Sequence, residues 1–126
     1  MPGVLIIEDD DDLREMLKTA FSRIDIEVQE AANGREALKH FKPNSTDLVI
    51  TDIIMPEEDG LKVIMKMREL KPGIKIIAIS GGGKAGPGGY LQVAKTLGAD
   101  GIFSKPFSLS DLISMVSSLL RLEQNE

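Results

Sequence analysis

The chain has 126 residues, a mass of 13.7 kDa, a net charge of −5, 42% apolar residues and no cysteine. This length and apolar content fit one ordinary domain with a single core. The acidic balance argues against a nucleic-acid backbone or an anionic membrane as the main partner. Without cysteine, disulfides, cysteine-based zinc sites and thiol nucleophiles are excluded. No apolar run approaches the roughly 20 residues that span a bilayer, and no signal-peptide pattern opens the chain, so we expect a soluble cytoplasmic domain.

Short apolar runs alternate along the chain with segments of helical periodicity. Val4 to Ile7 has no polar alternation, which is typical of a strand covered on both faces. The acidic residues 10–12 precede the first helical pattern, where the helix dipole favours negative charge, and we interpret them as a solvated helix start. In chain order the sequence predicts a strand from Val4 to Ile7, a helix from Leu13 to Ile24, a strand from Glu27 to Ala31, a short helix with Ala37 and Phe41, a strand from Asp47 to Thr51, a helix around Val63 and Met67, a strand from Ile74 to Ile79, a helix from Leu91 to Leu97, a strand at Ile102 and Phe103, and a helix from Leu109 to Leu120.

Five repeats of strand and helix call for an α/β fold, with a doubly wound parallel sheet and helices on both faces. We expect one domain over residues 1–122, followed by a polar tail at residues 123–126 that frays. Ligands of such sheets bind beyond the carboxyl ends of the strands, at the topological switch point. Side chains that follow the strands are therefore the candidates for chemistry.

Several carboxylates, a hydroxyl and an amine follow the predicted strands. Glu8 and Asp9 follow the first strand, Asp52 the third, Ser80 the fourth and Lys105 the fifth. Two carboxylates 4 Å apart repel by roughly 4 kcal/mol at an effective dielectric near 20, which a cation relieves. Oxygen ligands alone favour Mg²⁺ or Mn²⁺, whereas the lysine and the hydroxyl suit a phosphate. With no histidine at these positions, a phosphoryl acceptor would be a carboxylate.

Four motifs resemble the receiver domain of bacterial two-component response regulators, of the kind that includes chemotaxis regulators. The resemblance covers essentially the whole chain and implies a flavodoxin-like sheet with strand order 2-1-3-4-5. The motifs are Val4 to Asp9, Asp47 to Pro56 with Asp59-Gly60, Ile77 to Gly81, and Gly98 to Phe107.

The resemblance implies that Asp52 accepts a phosphoryl group in a Mg²⁺-dependent reaction. The donor would be a sensor histidine kinase or a histidine phosphotransfer protein. Glu8, Asp9, Asp52 and the backbone carbonyl of Ile54 would hold the metal, which is Mg²⁺ or Mn²⁺. The domain would act as a signalling switch and not as an enzyme, with autocatalytic phosphoryl transfer and autodephosphorylation only. It would be a monomer or a weak dimer that changes its binding to a downstream output protein or domain.

Two further residues would respond to the phosphoryl group. Ser80 stands where the family more often has threonine, and Lys105 would contact the phosphoryl group and pair with Asp52 before phosphorylation. The Lys105-Pro106 bond is typically cis in the family. Ile102 stands where the family usually has a switch aromatic, so the relay would have to use aliphatic repacking or the loop after the fourth strand.

Two alternatives remain at this point. A non-phosphorylated pseudo-receiver would act purely as a binding module, and Ile102 keeps that interpretation open. A hydrolase of the haloacid dehalogenase type also uses an aspartyl phosphate, but that chemistry needs a second carboxylate two residues after the nucleophile. Ile54 occupies that position, which argues against the hydrolase.

Overall fold

The computed structural model describes residues 1–53, 60–81 and 89–121. Within these residues each of five strands is followed by a helix. In chain order the elements are β1 (Gly3–Ile7), α1 (Asp11–Phe21), β2 (Glu27–Ala31), α2 (Gly34–His40), β3 (Leu48–Asp52), α3 (Gly60–Leu70), β4 (Lys75–Ser80), α4 (Gly89–Thr96), β5 (Gly101–Ser104) and α5 (Leu109–Leu120).

The five strands form one sheet in the order β2-β1-β3-β4-β5, and every neighbouring pair is parallel. This confirms the predicted α/β fold and its flavodoxin-like strand order. The chain steps from β1 to β2 on one side and later to β3 on the other. The switch point therefore lies between the carboxyl ends of β1 and β3, where such sheets bind ligands.

Both faces of the sheet are covered by helices. Leu5 and Ile7 pack into one apolar layer with α2, α3 and α4, while Val4 and Ile6 pack into the other with α1 and α5. Successive side chains of a strand point to opposite faces, so a strand covered on both faces needs apolar residues at every position. This explains why β1 is a continuous apolar run.

Local sequence signals set several element ends as expected. Asp10 caps α1, because its Oδ1 accepts hydrogen bonds from the backbone N–H groups of Asp12 at 3.0 Å and Leu13 at 3.2 Å. The Oγ of Ser108 caps α5 by accepting from the N–H of Asp111 at 3.2 Å. The acidic run before α1 is therefore an exposed helix start, as predicted.

Apolar periodicity placed some boundaries wrongly. We predicted that the first helix reaches Ile24, but α1 ends at Phe21, and Ile24 packs on the core from the turn that follows. Phe41 likewise packs on the core with an extended backbone after α2 has ended. The apolar pattern records burial, which continues past the last helical residue.

The third strand is shifted by one residue from its predicted bounds. Asp47 precedes β3, since pairing with β1 begins at Leu48 opposite Val4. Asp52 is the last residue of β3, since it still pairs with Ile79 of β4. Asp52 therefore belongs to β3 instead of following it, and its backbone is paired with β4 on one side.

The predicted polar tail at residues 123–126 lies outside the described residues. Among the helices that are described, none combines the length and the apolar character needed to cross a membrane.

Candidate functional site

Three carboxylates meet at the switch point of the sheet. Glu8 and Asp9 directly follow β1, and Asp52 ends β3, the neighbouring strand. One oxygen from each of these side chains lies within 4.8 Å of the others. Parallel pairing of β1 with β3 causes this convergence, because it brings the two carboxyl ends to the same edge.

Lys105 reaches this group from the edge of the sheet. It directly follows β5, and its backbone N–H donates to the carbonyl oxygen of Ser80 at 2.8 Å. Its Nζ donates to Glu8 Oε1 and to Asp52 Oδ2, both at 3.0 Å. The Lys105-Pro106 peptide bond is cis, as the resemblance implies. One ammonium group thus bridges carboxylates from two strands.

The charge of Lys105 is stabilised by its partners. Burial lowers its pKa, but hydrogen bonds and charge attraction from Asp52 and Glu8 outweigh burial, and the net pKa lies above the usual 10.5. The ammonium group is therefore protonated at neutral pH and neutralises part of the charge of the carboxylates. One positive charge still faces three acidic side chains.

The carboxyl group of Glu8 has a raised pKa. Its side chain is 3% exposed, and burial raises its pKa from 4.5 to about 7. The negative charge of Asp52 raises the pKa further, whereas hydrogen bonds from the N–H of Asp10 and from Lys105 lower it. A buried carboxyl with such a pKa binds either a proton or a cation at neutral pH.

Asp52 is more enclosed than we expected for a phosphoryl acceptor. The predicted acceptor role requires a carboxylate that an incoming phosphorus can reach, but the Asp52 side chain is only 6% exposed. Asp52 is enclosed because it is still part of β3, as the last residue of the strand, and because the Nζ of Lys105 donates a hydrogen bond to its Oδ2. A phosphoryl donor would reach this carboxylate only if neighbouring groups shifted.

The remaining predicted site residues differ in what the structure says of them. Ser80 is the last residue of β4, one position beyond the partner of Asp52 in the strand register, and it is fully buried. Ile54 lies outside the described residues. Ile102 is 37% exposed on β5, so an aliphatic side chain occupies the usual place of the aromatic. The functional roles of these residues stay predictions.

The donor set fits a small hard cation. Mg²⁺ binds oxygen ligands at 2.0–2.1 Å, so that opposite ligands of an octahedral ion are about 4.2 Å apart. The oxygens of Glu8, Asp9 and Asp52 lie within 4.8 Å of one another, so a small contraction or a bridging water would complete the contact. Glu8, Asp9 and Asp52 are the residues that would hold the ion.

Sequence reasoning missed Arg14. Its Nη1 donates to the carbonyl oxygen of Glu8 at 2.7 Å, its Nε to Glu30 at 3.0 Å and its Nη2 to Asp11 at 2.6 Å. The available signal was one arginine placed a helical turn after a run of aspartates. That signal also fits an ordinary surface ion pair, and only the contact with Glu8 distinguishes the two.

Comparison with known proteins agrees with the fold. The sequence model of the response regulator receiver domain matches residues 4–117. The response regulator receiver protein CpdR of Brucella abortus is 31% identical over 95% of this chain and 98% of CpdR. The transcriptional regulatory protein SrrA of Staphylococcus aureus is 33% identical over 97% of this chain, which spans 49% of SrrA.

Solved structures give the same result. The receiver domain of the Francisella response regulator 1452 superposes with a TM-score of 0.85 at 28% identity, over 96% of this chain and 98% of that one. The response regulator TrrA of Thermotoga maritima, in complex with Mg²⁺-BeF, superposes with a TM-score of 0.80 at 33% identity, over 94% of this chain and 99% of that one.

Proposed function

The chain belongs to the response regulator receiver family and is a receiver domain of two-component signalling, and we propose that it is a switch turned on by phosphorylation of Asp52. The donor is a phosphohistidine on a sensor kinase or a phosphotransfer protein. The observation that carries the proposal is the bridge of Lys105 to Asp52 and Glu8, both at 3.0 Å, beside the cluster of three carboxylates.

The reaction needs positioning and charge neutralisation more than covalent chemistry. A carboxylate oxygen of Asp52 attacks the phosphorus, and the new O–P bond forms as the donor P–N bond breaks. The electron pair of the P–N bond stays on the imidazole, which leaves as a neutral ring because its other nitrogen already carries a proton. In the transition state negative charge spreads over the equatorial phosphoryl oxygens. The ammonium of Lys105, already beside the attacking carboxylate, neutralises part of that charge.

A bound metal ion would supply the rest of the positive charge. Glu8, Asp9 and Asp52 would hold Mg²⁺, whose charge would offset the repulsion among the carboxylates and stabilise the phosphoryl oxygens. The acidic cluster and the solved complex of TrrA with Mg²⁺-BeF support this assignment. We further propose that the backbone carbonyl of Ile54 contributes a ligand.

The phosphoryl group then changes the surface that partners bind. It adds roughly 1.5 to 2 negative charges and new acceptor oxygens to the site. Ser80, buried at the end of β4 and one position beyond the strand partner of Asp52, carries the hydroxyl that would respond. We propose that its movement changes binding to a downstream output protein or domain, as in a regulator that transmits a phosphorylation signal.

The alternative function is a binding module that is never phosphorylated. The observation in its favour is the 6% exposure of the Asp52 side chain. A carboxylate so enclosed, and held by a lysine, also suits a permanent structural ion pair. We favour the switch because a structural pair needs one carboxylate, whereas Lys105 contacts two and an oxygen of a third, Asp9, lies within 4.8 Å of theirs.

Intact-protein mass spectrometry after incubation with acetyl phosphate and Mg²⁺ tests the proposal. We expect one phosphoryl adduct, absent in Asp52→Asn and absent with a chelator. Asp47→Asn, which removes a carboxylate just before the same strand, serves as the matched control and should retain the adduct. No adduct under any condition would contradict the switch and favour the binding module, and sustained turnover of a generic phosphate ester would overturn the switch in favour of the hydrolase.

A further inference from the structure

We propose that Arg14 is a positioning residue for the metal ligands Glu8 and Asp9. The inference rests on the metal site of the proposed function and deepens it. Arg14 would hold the turn between β1 and α1 in the conformation that aims both carboxylates at the ion. Arg14 contacts neither the carboxylates that would hold the metal nor that of Asp52, so it is a positioning residue and not a catalytic one.

The guanidinium group of Arg14 is anchored on three elements at once. Its Nη1 donates to the carbonyl oxygen of Glu8 in the β1–α1 turn at 2.7 Å, and its Nη2 donates to Asp11 in the first turn of α1 at 2.6 Å. Its Nε donates to Glu30 of β2 at 3.0 Å. Because the guanidinium group is planar and rigid, three such hydrogen bonds fix its orientation far better than one hydrogen bond from a lysine ammonium group would.

The contact with Glu8 completes the restraint of the turn. The N–H of Glu8 donates to the carbonyl oxygen of Ala31 at 3.1 Å, and its Oε2 accepts from the N–H of Asp10 at 3.1 Å. With Arg14 on its carbonyl oxygen, Glu8 is held at the amide, the carboxylate and the carbonyl. The peptide plane between Glu8 and Asp9 is thereby fixed, which sets the backbone position from which the exposed Asp9 side chain extends.

Simple electrostatics and positioning predict opposite effects for removing Arg14. The positive charge of Arg14, on the carbonyl oxygen of Glu8, repels a divalent ion at the site, so its removal should strengthen Mg²⁺ binding on charge alone. Loss of an outer-shell partner that orients the ligands should weaken it, typically by about 10-fold to 100-fold. The direction of the change therefore separates the two roles.

Lys18 provides a matched control. It lies one helical turn farther along α1 and pairs with the other oxygen of Glu30 at 2.8 Å. Arg14→Met and Lys18→Met each remove one positive charge and one bond to Glu30. Arg14→Met in addition removes the donor to the Glu8 carbonyl oxygen.

Calorimetric titration of Mg²⁺ into the wild-type chain and the variants, at a pH above the pKa of Glu8, measures the effect. We expect Arg14→Met to weaken binding by about 10-fold, and Lys18→Met to leave it unchanged or slightly tighter. Arg14→Lys keeps the charge but loses the fork and should also weaken binding. Phosphorylation by acetyl phosphate should show a higher half-saturating Mg²⁺ concentration with a nearly unchanged maximal rate.

Thermal unfolding in chelator checks that each variant is folded. If Arg14→Met is unfolded, the titration of Arg14→Lys decides by the same criterion. Mg²⁺ binding in the Arg14 variants as tight as in the wild type would overturn the inference and leave the proposed function standing, provided that the wild type is phosphorylated. A wild type that neither binds Mg²⁺ nor accepts a phosphoryl group would overturn both.

Discussion

Each end of the sheet carries a lysine beside acidic residues, but the two ends differ in what surrounds the lysine. At the carboxyl end, Lys105 bridges Glu8 and Asp52, whose side chains are 3% and 6% exposed. At the amino end, Lys71 donates to the carbonyl oxygens of Pro43 and Thr46, both at 2.7 Å. The carboxylate nearest to Lys71, that of Asp47, is 3.9 Å away and half exposed.

The difference separates a structural arrangement from a reactive one. At the amino end the backbone satisfies the charged groups, since Asp47 Oδ2 accepts from the N–H of Gly3 at 2.8 Å. At the carboxyl end three acidic groups face one lysine, and two of them, Glu8 and Asp52, are shielded from water, so charge is left unbalanced. Burial and excess charge, and not the residue types, mark the candidate cation site.

The largest expected effect is on Lys105. Lys105→Met leaves Glu8 and Asp52 without their shared ammonium, both in the resting site and as charge develops on the phosphoryl oxygens. We expect the rate of phosphorylation by acetyl phosphate to fall between about 100-fold and 1,000-fold, as for other positioned donors to a developing oxyanion. The time course of adduct formation by mass spectrometry measures it.

Lys71→Met is the matched control at the other end of the sheet. It leaves two carbonyl oxygens without their donor, so the free energy of unfolding should fall by about 1–2 kcal/mol in a denaturant titration. Phosphorylation should stay at the wild-type rate. Equal loss of phosphorylation in the two variants would show that the ends of the sheet do not differ as described.

The next effect is a pH dependence of stability that depends on Glu8. Burial raises the pKa of Glu8 from 4.5 to about 7, so the folded protein holds this proton more tightly than the unfolded chain does. The stabilisation from Glu8 is therefore full below pH 4.5 and is lost as the pH rises through about 7. This stabilisation is at most about 3 kcal/mol, because each tenfold gain in proton affinity is worth about 1.4 kcal/mol.

Denaturant titrations in chelator, from acidic to mildly alkaline pH, measure this dependence. The free energy of unfolding of the wild type should decline relative to that of Glu8→Gln across the window, because the variant has no proton to lose. If the difference in free energy of unfolding between the two proteins did not change with pH, the carboxylate of Glu8 would be solvated in the folded state. Added Mg²⁺ should reduce the decline, since the ion replaces the proton.

The smallest effect concerns the exposed network around Glu30. Hydrogen bonds from Lys18 and then Arg14 lower the pKa of Glu30, so its contribution to stability is present above its usual pKa and is lost as the pH falls through the lowered value. Its side chain is 36% exposed, and Glu30→Gln should cost only about 0.5 kcal/mol at neutral pH. This loss in the free energy of unfolding, measured by denaturation, should disappear in acid and shrink in high salt. A loss that persists under both conditions would show that Glu30 stabilises the fold through packing and not through its charge.

The fold and the position of the site were predictable from the sequence for a physical reason. A strand buried on both faces must be apolar throughout, so the apolar run from Val4 to Ile7 predicts such a strand. Parallel pairing then brings Glu8 and Asp52 to one edge of the sheet. The strand order followed from the family motifs. Ends of elements were less certain, because residues such as Ile24 are buried without being helical.

Two features of the site were not predictable from the sequence. The enclosure of Asp52 depends on strand pairing that continues to its last residue and on the reach of Lys105, and neither leaves a pattern in the sequence. The role of Arg14 depends on which side the guanidinium turns from α1. The sequence shows that Arg14 follows a run of acidic residues, but only the folded structure shows that it donates a hydrogen bond to the carbonyl oxygen of Glu8.

The central claim is that Asp52 is the phosphoryl acceptor, and chemical trapping tests it most directly. Borohydride reduction of the phosphorylated protein converts an aspartyl phosphate to homoserine, which peptide mass spectrometry locates. We predict homoserine at position 52 after treatment with acetyl phosphate and Mg²⁺, and unmodified aspartate at position 47. Trapping at Asp47 or Asp9 with position 52 unmodified, or no trapping at all, would contradict the account.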